Sequence, residues 1–211
     1  MYVRPDARIA VMSQRDDLLA GARKCLVEKG YSKTTARDIA AASGAHLASI
    51  GYHFGSKDNL MNTAVIEATG EWGDTFEAAV SASRAEAPAD RLRVLLDSLF
   101  RTLPEERDLL VASVQAYAQA QFDDGVRAVL AEGLRGARRG LAALLLDLEP
   151  GEVDPAVEAG LGSMAYNFVT GYLIQYLIDP EMLPTVEQAV EGLRVLLPAE
   201  DRAGTRGPRH P

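Results

Sequence analysis

Arg37 and Lys57 are the residues of this 211-residue chain whose type and placement best suit chemistry, and that chemistry is recognition of phosphate and base edges. The guanidinium of Arg37 is a planar fork that can donate two hydrogen bonds to a guanine edge or pair with a phosphate; the alternative is a solvated side chain on an exposed face. Lys57 follows Ser56 into the first turn of a helix, where a cation opposes the helix dipole at a cost of about 0.3 to 1 kcal/mol. A phosphate would offset that cost, because the helix N-terminus and the ammonium both favour an anion. Catalysis has no comparable basis. The one cysteine, Cys25, has no disulfide partner, the three histidines stand at positions 46, 53 and 210, and no residue cluster has metal-ligand spacing. The sequence therefore predicts no enzyme centre, no cofactor and no structural metal, and a reducing cytoplasm as the compartment.

Net charge argues the other way at first, since a chain of formal charge -8 repels nucleic acid as a whole. The distribution reverses this. Residues 1–60 hold nine Lys and Arg against six Asp and Glu, a balance of +3, which leaves -11 on the remainder. A basic segment on an acidic body fits a localised nucleic-acid interface.

The elements that position these cations read as helices throughout. Ala, Leu, Glu and Arg recur at three- and four-residue spacing, and no alternating strand pattern is bounded by hairpin turns. Ser13 caps a first helix with Asp16 as its partner, and Leu18, Ala22, Cys25 and Leu26 form its apolar face before Gly30 ends it. A second helix runs from Thr35 through Ala42, capped by Thr35 with Asp38 and anchored by Ile39; Gly44 makes the turn. A third covers about Leu47 to Phe54, with Ile50 and Phe54 inward and Ser49, Tyr52 and His53 outward or lateral. This is a helix-turn-helix. Ser56 caps a long fourth helix to about Ala82, and breaks at Pro88, Pro104, Gly151 to Pro155 and Pro180 to Pro184 divide the rest into helices near 89–103, 105–119, 122–148, 154–179 and 185–197. The expectation is all-α, about nine helices: a flexible tail at 1–12, a three-helix DNA-binding domain at 13–60, a larger helical ligand-binding and dimerisation domain at 61–197, and a disordered tail at 198–211. The apolar run Leu161 to Ile178 contains Asn167 and Gln175 and is flanked by Glu158 and Asp179, so it reads as a buried helix, not a membrane span.

The segment GYSKTTARDIAAASGAHLASIGYHFGSKDNLM, residues 30–61, resembles the DNA-binding region of the tetracycline-repressor (TetR) family. The likeness lies in the Gly-aromatic after helix 1, the Thr-Thr opening helix 2, its Ile-Ala pair, Gly44, the Tyr-His-Phe of helix 3 and the Ser-Lys of helix 4. The resemblance implies a homodimeric repressor that grips double-stranded operator DNA. It places the DNA contacts on Thr35, Arg37, His46, Leu47, Ser49, Tyr52, His53 and Lys57, with Tyr52 and His53 as the phosphate- and base-contacting pair. The chain departs from the family at His46 and Leu47, where Ser and a basic residue are frequent, and at Gly51, where a tyrosine is frequent. Leu47 either touches a thymine methyl or lids the bundle. Gly51 either lets the backbone approach DNA or accommodates a tight helix contact.

In the larger domain, Tyr166, Asn167, Tyr172 and Gln175 add polar groups to an apolar stripe, and with Trp72, Phe76, Phe100 and Tyr117 they are the expected lining of a ligand cavity. Basic residues do not converge there, so the expected effector is a small, moderately apolar molecule. Leu161, Met164, Phe168, Val186, Val190, Leu193 and Leu197 are the expected faces of a four-helix dimer interface. The function predicted is a sequence-specific regulator, a repressor released from a pseudo-palindromic operator when a ligand changes the spacing of the two DNA-binding heads through helix 4. An enzyme lacks a catalytic group; a scaffold whose helix-turn-helix contacts protein is the remaining reading, kept open by His46, Leu47 and Gly51.

Overall fold

A computed structural model describes residues 13–196, which form nine helices and their connections, with no strand among the described residues. The two expected tails and Leu197 lie outside the described residues. Helix α1 (Gln14–Lys29) starts where the sequence places it: Ser13 Oγ accepts from the Asp16 N–H at 3.3 Å, while the Asp16 carboxylate accepts from the Ser13 N–H at 3.2 Å. Helix α2 (Ala36–Ser43) repeats the device with Thr35 and Asp38, at 3.2 and 2.9 Å. The Asp38 carboxylate also accepts from Lys29 at 2.6 Å, joining the start of α2 to the end of α1. Gly44 closes α2 at φ 70°, a left-handed turn that leads into α3 (Leu47–Phe54).

Gly21 fixes how closely α1 and α2 pack. A Cβ there would lie 2.8 Å from Ser43 Cβ and 3.0 Å from the Ile39 carbonyl oxygen, so any larger residue would drive the helices apart. Leu18, Ala22, Cys25, Leu26, Ile39 and Ile50 fill the space among α1, α2 and α3, and Leu60, Met61, Ala64 and Val65 of α4 complete that core. Helix α4 (Lys57–Ser83) is thus part of the N-terminal bundle for its first turns and then leaves it. Arg23 of α1 ties the two together, donating to Glu67 at 3.0 Å and to Glu71 at 2.6 Å.

Helices α5 (Pro88–Thr102), α6 (Arg107–Gln119) and α7 (Asp124–Leu146) follow within a few residues of their expected bounds. Helix α6 starts two residues late because residues 103–106 turn before it. Helix α8 departs from expectation. It opens as Pro155–Val157, widens into a π turn at Glu158–Gly162 and continues as Ser163–Ile178. Gly162 meets α7 there so closely that a Cβ would lie only 2.3 Å from the Arg138 carbonyl oxygen. Helix α9 (Val186–Leu196) packs on α5.

Helices α4 and α7 run side by side in the same direction. Near their starts Asn59 lies against Gly125, and at mid-length Ile66 lies against Gly133. At their ends the buried guanidinium of Arg91 donates to the Ala85 carbonyl at 2.9 Å and the Leu144 carbonyl at 3.4 Å, and pairs with Asp147 at 2.7 Å. These bonds engage carbonyls just beyond α4 and within the last turn of α7, where helical partners run out.

Candidate nucleic-acid interface and cavity

Helix α3 separates its residues cleanly by burial. Ile50 is buried and Phe54 half-buried beneath Arg15, whose guanidinium sits 5.3 Å over the ring. Leu47, Ala48, Gly51 and Tyr52 form the opposite, exposed face, with Leu47 47% and Tyr52 86% exposed. Ser49 and His53 lie half-buried at the flanks, and His53 is 3.4 Å from Gln14 Oε1 and edge-on to Tyr52. The exposure of Leu47 removes the lid reading. Nothing lies within 4 Å of a Cβ built on Gly51, so the tight helix contact is absent and its missing side chain leaves the outer surface of α3 low.

Thr35, Arg37 and His46 are exposed beside this face, as is Lys33, which the sequence reading did not single out. Lys33 and Ala48 were legible only through position: one precedes the Thr-Thr cap, the other lies between Leu47 and Ser49. Lys57 is held differently from expectation. Its ammonium donates to the Thr34 carbonyl at 3.3 Å, pairs with Asp58 at 2.9 Å and sits 5.6 Å over the Tyr31 ring. Part of the offset to the helix dipole therefore comes from within the protein, and the ammonium keeps N–H capacity for an anion. The Tyr31 hydroxyl donates to the buried Asn62 at 3.0 Å, and burial pushes its pKa up to about 12.

Between α4 and α7, closed behind by α6 and α8, is a cavity of about 340 Å³. Trp72, Phe76, Tyr117 and Tyr166, all expected there, line it. The Tyr117 and Tyr166 hydroxyls are 2.7 Å apart, and burial, reinforced by that neighbour, raises the Tyr117 phenol well above its ordinary range, so it stays neutral. Four expected residues lie elsewhere. Asn167 is exposed, because it follows Tyr166 by one residue and so points about 100° away around α8. Tyr172 packs edge-on against Phe100 at 4.9 Å and stacks near Phe168, which uses both rings in the core between α5 and α8; Gln175 is half-buried and outside the cavity.

The cavity also has residues that the aromatic pattern did not indicate. Gly70 and Gly73 of α4 and Gly136 and Gly140 of α7 border it, and a Cβ on any of them would meet no atom within 4 Å. Glycine inside a helix costs about 0.5 to 1 kcal/mol against alanine, so these positions sacrifice helix stability and leave open space. Their spacing on one face of each helix was the available signal.

Of the expected dimer residues, Met164 is exposed and Leu161, Phe168 and Leu193 half-buried. Val190 is only 6% exposed and Val186 packs on the same core, so this part of α9 faces α5 within the protomer. The outer face of α8 instead carries Met164, Ile174 and Ile178, the last 75% exposed. Among the described residues no helix is long and apolar enough to cross a membrane.

Comparisons with known proteins agree with this arrangement. Residues 18–64 match the family described as bacterial regulatory proteins, tetR family, and residues 88–200 match the BetI-type transcriptional repressor C-terminal region. The transcriptional regulator BetI of Rhizobium meliloti is 26% identical over 151 residues, 72% of this chain and 73% of that protein. The repressor AcnR of Corynebacterium glutamicum is 42% identical over 49 residues, 23% of this chain and about a quarter (26%) of AcnR. Among solved structures, the multidrug binding protein EbrR complexed with imidazole is 25% identical at a TM-score of 0.63, covering 89% of this chain and 96% of that one. A transcriptional regulator from Rhodococcus sp. RHA1 shares the fold at a TM-score of 0.65 and 20% identity, covering 87% and 95%.

Proposed function

The chain belongs to the tetR family of bacterial regulatory proteins, with a C-terminal region of the BetI repressor type, and from that premise we propose that it is a cytosolic, dimeric repressor released from a pseudo-palindromic operator by an apolar effector. The observation that carries this reading is the double membership of α4. Its first turn holds Lys57 beside the exposed face of α3, and residues 65 to 77 of the same helix wall the cavity. One continuous helix thus belongs to both sites, and a ligand that favours a different bend of α4 shifts the DNA-binding face.

Residues 13–60 act as the reading head and the helices after them as the effector and dimer domain. The DNA contacts are Tyr52, Ser49, His53, His46 and Leu47 on and around α3, Thr35 and Arg37 at the start of α2, and Lys57. Leu47 meets a thymine methyl, and the low surface at Gly51 lets the backbone approach the groove floor. A second copy covers Met164, Ile174 and Ile178, giving two heads on a two-fold axis with half-sites a whole number of helical turns apart.

The test is selection from a random DNA pool by the purified protein, followed by salt titration on the enriched sequence. Enrichment of an inverted repeat, with affinity falling steeply in salt, is the expected outcome. A chain that enriches nothing at low salt is not a DNA-binding regulator.

A further inference from the structure

We propose that Lys33 is a site of acylation by an acyl phosphate, and that the modification weakens the hold on DNA by deleting a cation at the edge of the DNA-binding face. The consequence for DNA rests on the regulator reading above; the site itself does not.

The starting observation is where lysine occurs. The chain has 18 arginines and four lysines, and all four lysines, Lys24, Lys29, Lys33 and Lys57, fall within residues 24–57. Residues 58–211 carry 13 arginines and no lysine. The ion pairs of the body are accordingly built on guanidinium: Arg91 with Asp147, Arg93 with Glu187 and Arg139 with Glu158. A guanidinium stays protonated and takes no acyl group at neutral pH, whereas a lysine amine accepts one and loses its charge. Side-chain acylation therefore leaves the cavity and the body's clamps untouched and acts on the helix-turn-helix region alone.

The four amines are not equivalent. Acylation proceeds through the unprotonated amine, a fraction that an accepting partner reduces. Lys29 donates to Asp38 at 2.6 Å, and that bond is the first cause of its raised pKa. Lys57 donates to the Thr34 carbonyl at 3.3 Å and pairs with Asp58 at 2.9 Å. Lys24 stands exposed on α1, 4.0 Å from Glu28. Lys33 is exposed and has no ion-pair partner among the described residues. Its backbone is nevertheless fixed, because the next residue, Thr34, is buried and its hydroxyl donates to the Gly30 carbonyl at 2.8 Å. Lys33 is thus held out on a pinned turn, one residue from the carbonyl that Lys57 grips and four from Arg37.

That position selects the donor. The nearby carboxylates of Asp38 and Asp58 are already paired, so Lys33, Arg37 and Lys57 leave the region positive and attract a small phosphate-bearing molecule as they attract the DNA backbone. In an acyl phosphate the attracted group is also the leaving group. The Lys33 Nζ lone pair attacks the acyl carbon and the N–C bond forms as the C–O bond to phosphate breaks. The bonding pair leaves with the phosphate, and the proton shed by nitrogen passes to solvent. The product amide is neutral and contributes no counterion release on DNA.

The test treats the full-length protein with acetyl phosphate and, separately, with N-hydroxysuccinimidyl acetate, an amine-reactive ester without phosphate, and reads each lysine by peptide mass spectrometry. Acetyl phosphate should label Lys33 at least about fivefold faster than Lys24, and the ester should label the two within about twofold, since it lacks the group that the cations attract. The labelled protein is then titrated on its selected operator by fluorescence anisotropy. Two neutralised contacts per dimer should lower the slope of log affinity against log salt by about 1.8, a change that Lys33→Gln reproduces without reagent and Lys33→Arg prevents. Equal labelling of Lys24 and Lys33 by acetyl phosphate, an unchanged slope once Lys33 is acetylated, or the same loss in treated Lys33→Arg overturns the proposal. Labelling is read without DNA. A chain that selects no operator sinks the regulator reading while the labelling pattern still judges the site; one that selects an operator and keeps its slope after Lys33 acetylation sinks this proposal alone.

Discussion

Replacing Lys57 with methionine removes one ammonium while keeping a hydrocarbon stem over the Tyr31 ring, and the structure limits what that ammonium can do. It donates to the Thr34 carbonyl at 3.3 Å and is paired with Asp58 at 2.9 Å, so a single phosphate contact is counted for this residue in each protomer. A dimer brings two. Each contact contributes about 0.9 to the slope of log affinity against log salt, and two contribute about 1.8. Over a fourfold rise from about 50 to 200 mM salt, the unmodified protein should therefore lose roughly 12-fold more affinity than Lys57→Met. The assay is fluorescence anisotropy on the selected inverted repeat and on a scrambled duplex, which should show the same change of slope, because a phosphate carries no sequence information. Stability should hardly move, since the half-exposed pair with Asp58 is worth about 0 to 1 kcal/mol. Identical slopes for the two proteins would show that Lys57 touches no phosphate and serves only to hold the α2 approach loop.

Three further outcomes follow from the packing. Gly21→Ala should destabilise by about 1 to 3 kcal/mol, because the new methyl meets Ser43 and the Ile39 carbonyl; a higher melting temperature, the usual result of removing a helical glycine, would contradict the close approach. Asp38 is held below the ordinary carboxylate range, first by its bond from Lys29 and then by Thr35, so the ionised carboxylate stabilises fully above its unfolded pKa and that contribution is lost as pH falls through the folded one. The melting temperatures of the protein and of Asp38→Asn should therefore converge below about pH 4, and a constant difference down into acid would refute the linkage. Ile178→Asp should yield a folded monomer by sedimentation, whereas Val190→Asp, which places a charge in the protomer's core, should not fold; a folded Val190→Asp monomer would return that residue to the dimer face.

Legibility in the sequence tracked the range of the interaction. The caps at Ser13, Thr35 and Ser56 act over three residues, and each was readable from its own segment. The burial of Ile50 and the exposure of Tyr52 followed from helical periodicity alone. What depended on neighbours distant in the chain was not readable. Asn167 and Gln175 looked like cavity residues because they are polar in an apolar stripe, yet only the packing partners of α8 decide which side of the stripe they take. Val190 was assigned to a partner copy because nothing local shows that α5 already covers it. The π turn before Ser163 sits where Gly162 meets the Arg138 backbone, a neighbour outside its own segment. The glycines at 70, 73, 136 and 140 were visible but silent: their one-face spacing became meaningful once α4 and α7 were seen to be neighbours.

That neighbourhood has a mechanical consequence. Helix α4 behaves as a beam of about 36 Å from Asn59 to Ser83, clasped to α7 by Arg91 just beyond one end and by Asn59 against Gly125 at the other. A beam fixed at both ends cannot swing open; loaded at mid-span it bows, and the bending shows as rotation near its supports. The Arg91 support is a charged, hydrogen-bonded clamp and resists such rotation. The Asn59 support is contact alone. On the proposed function, a ligand that loads α4 at mid-span delivers its work at the weaker bearing, two residues from Lys57.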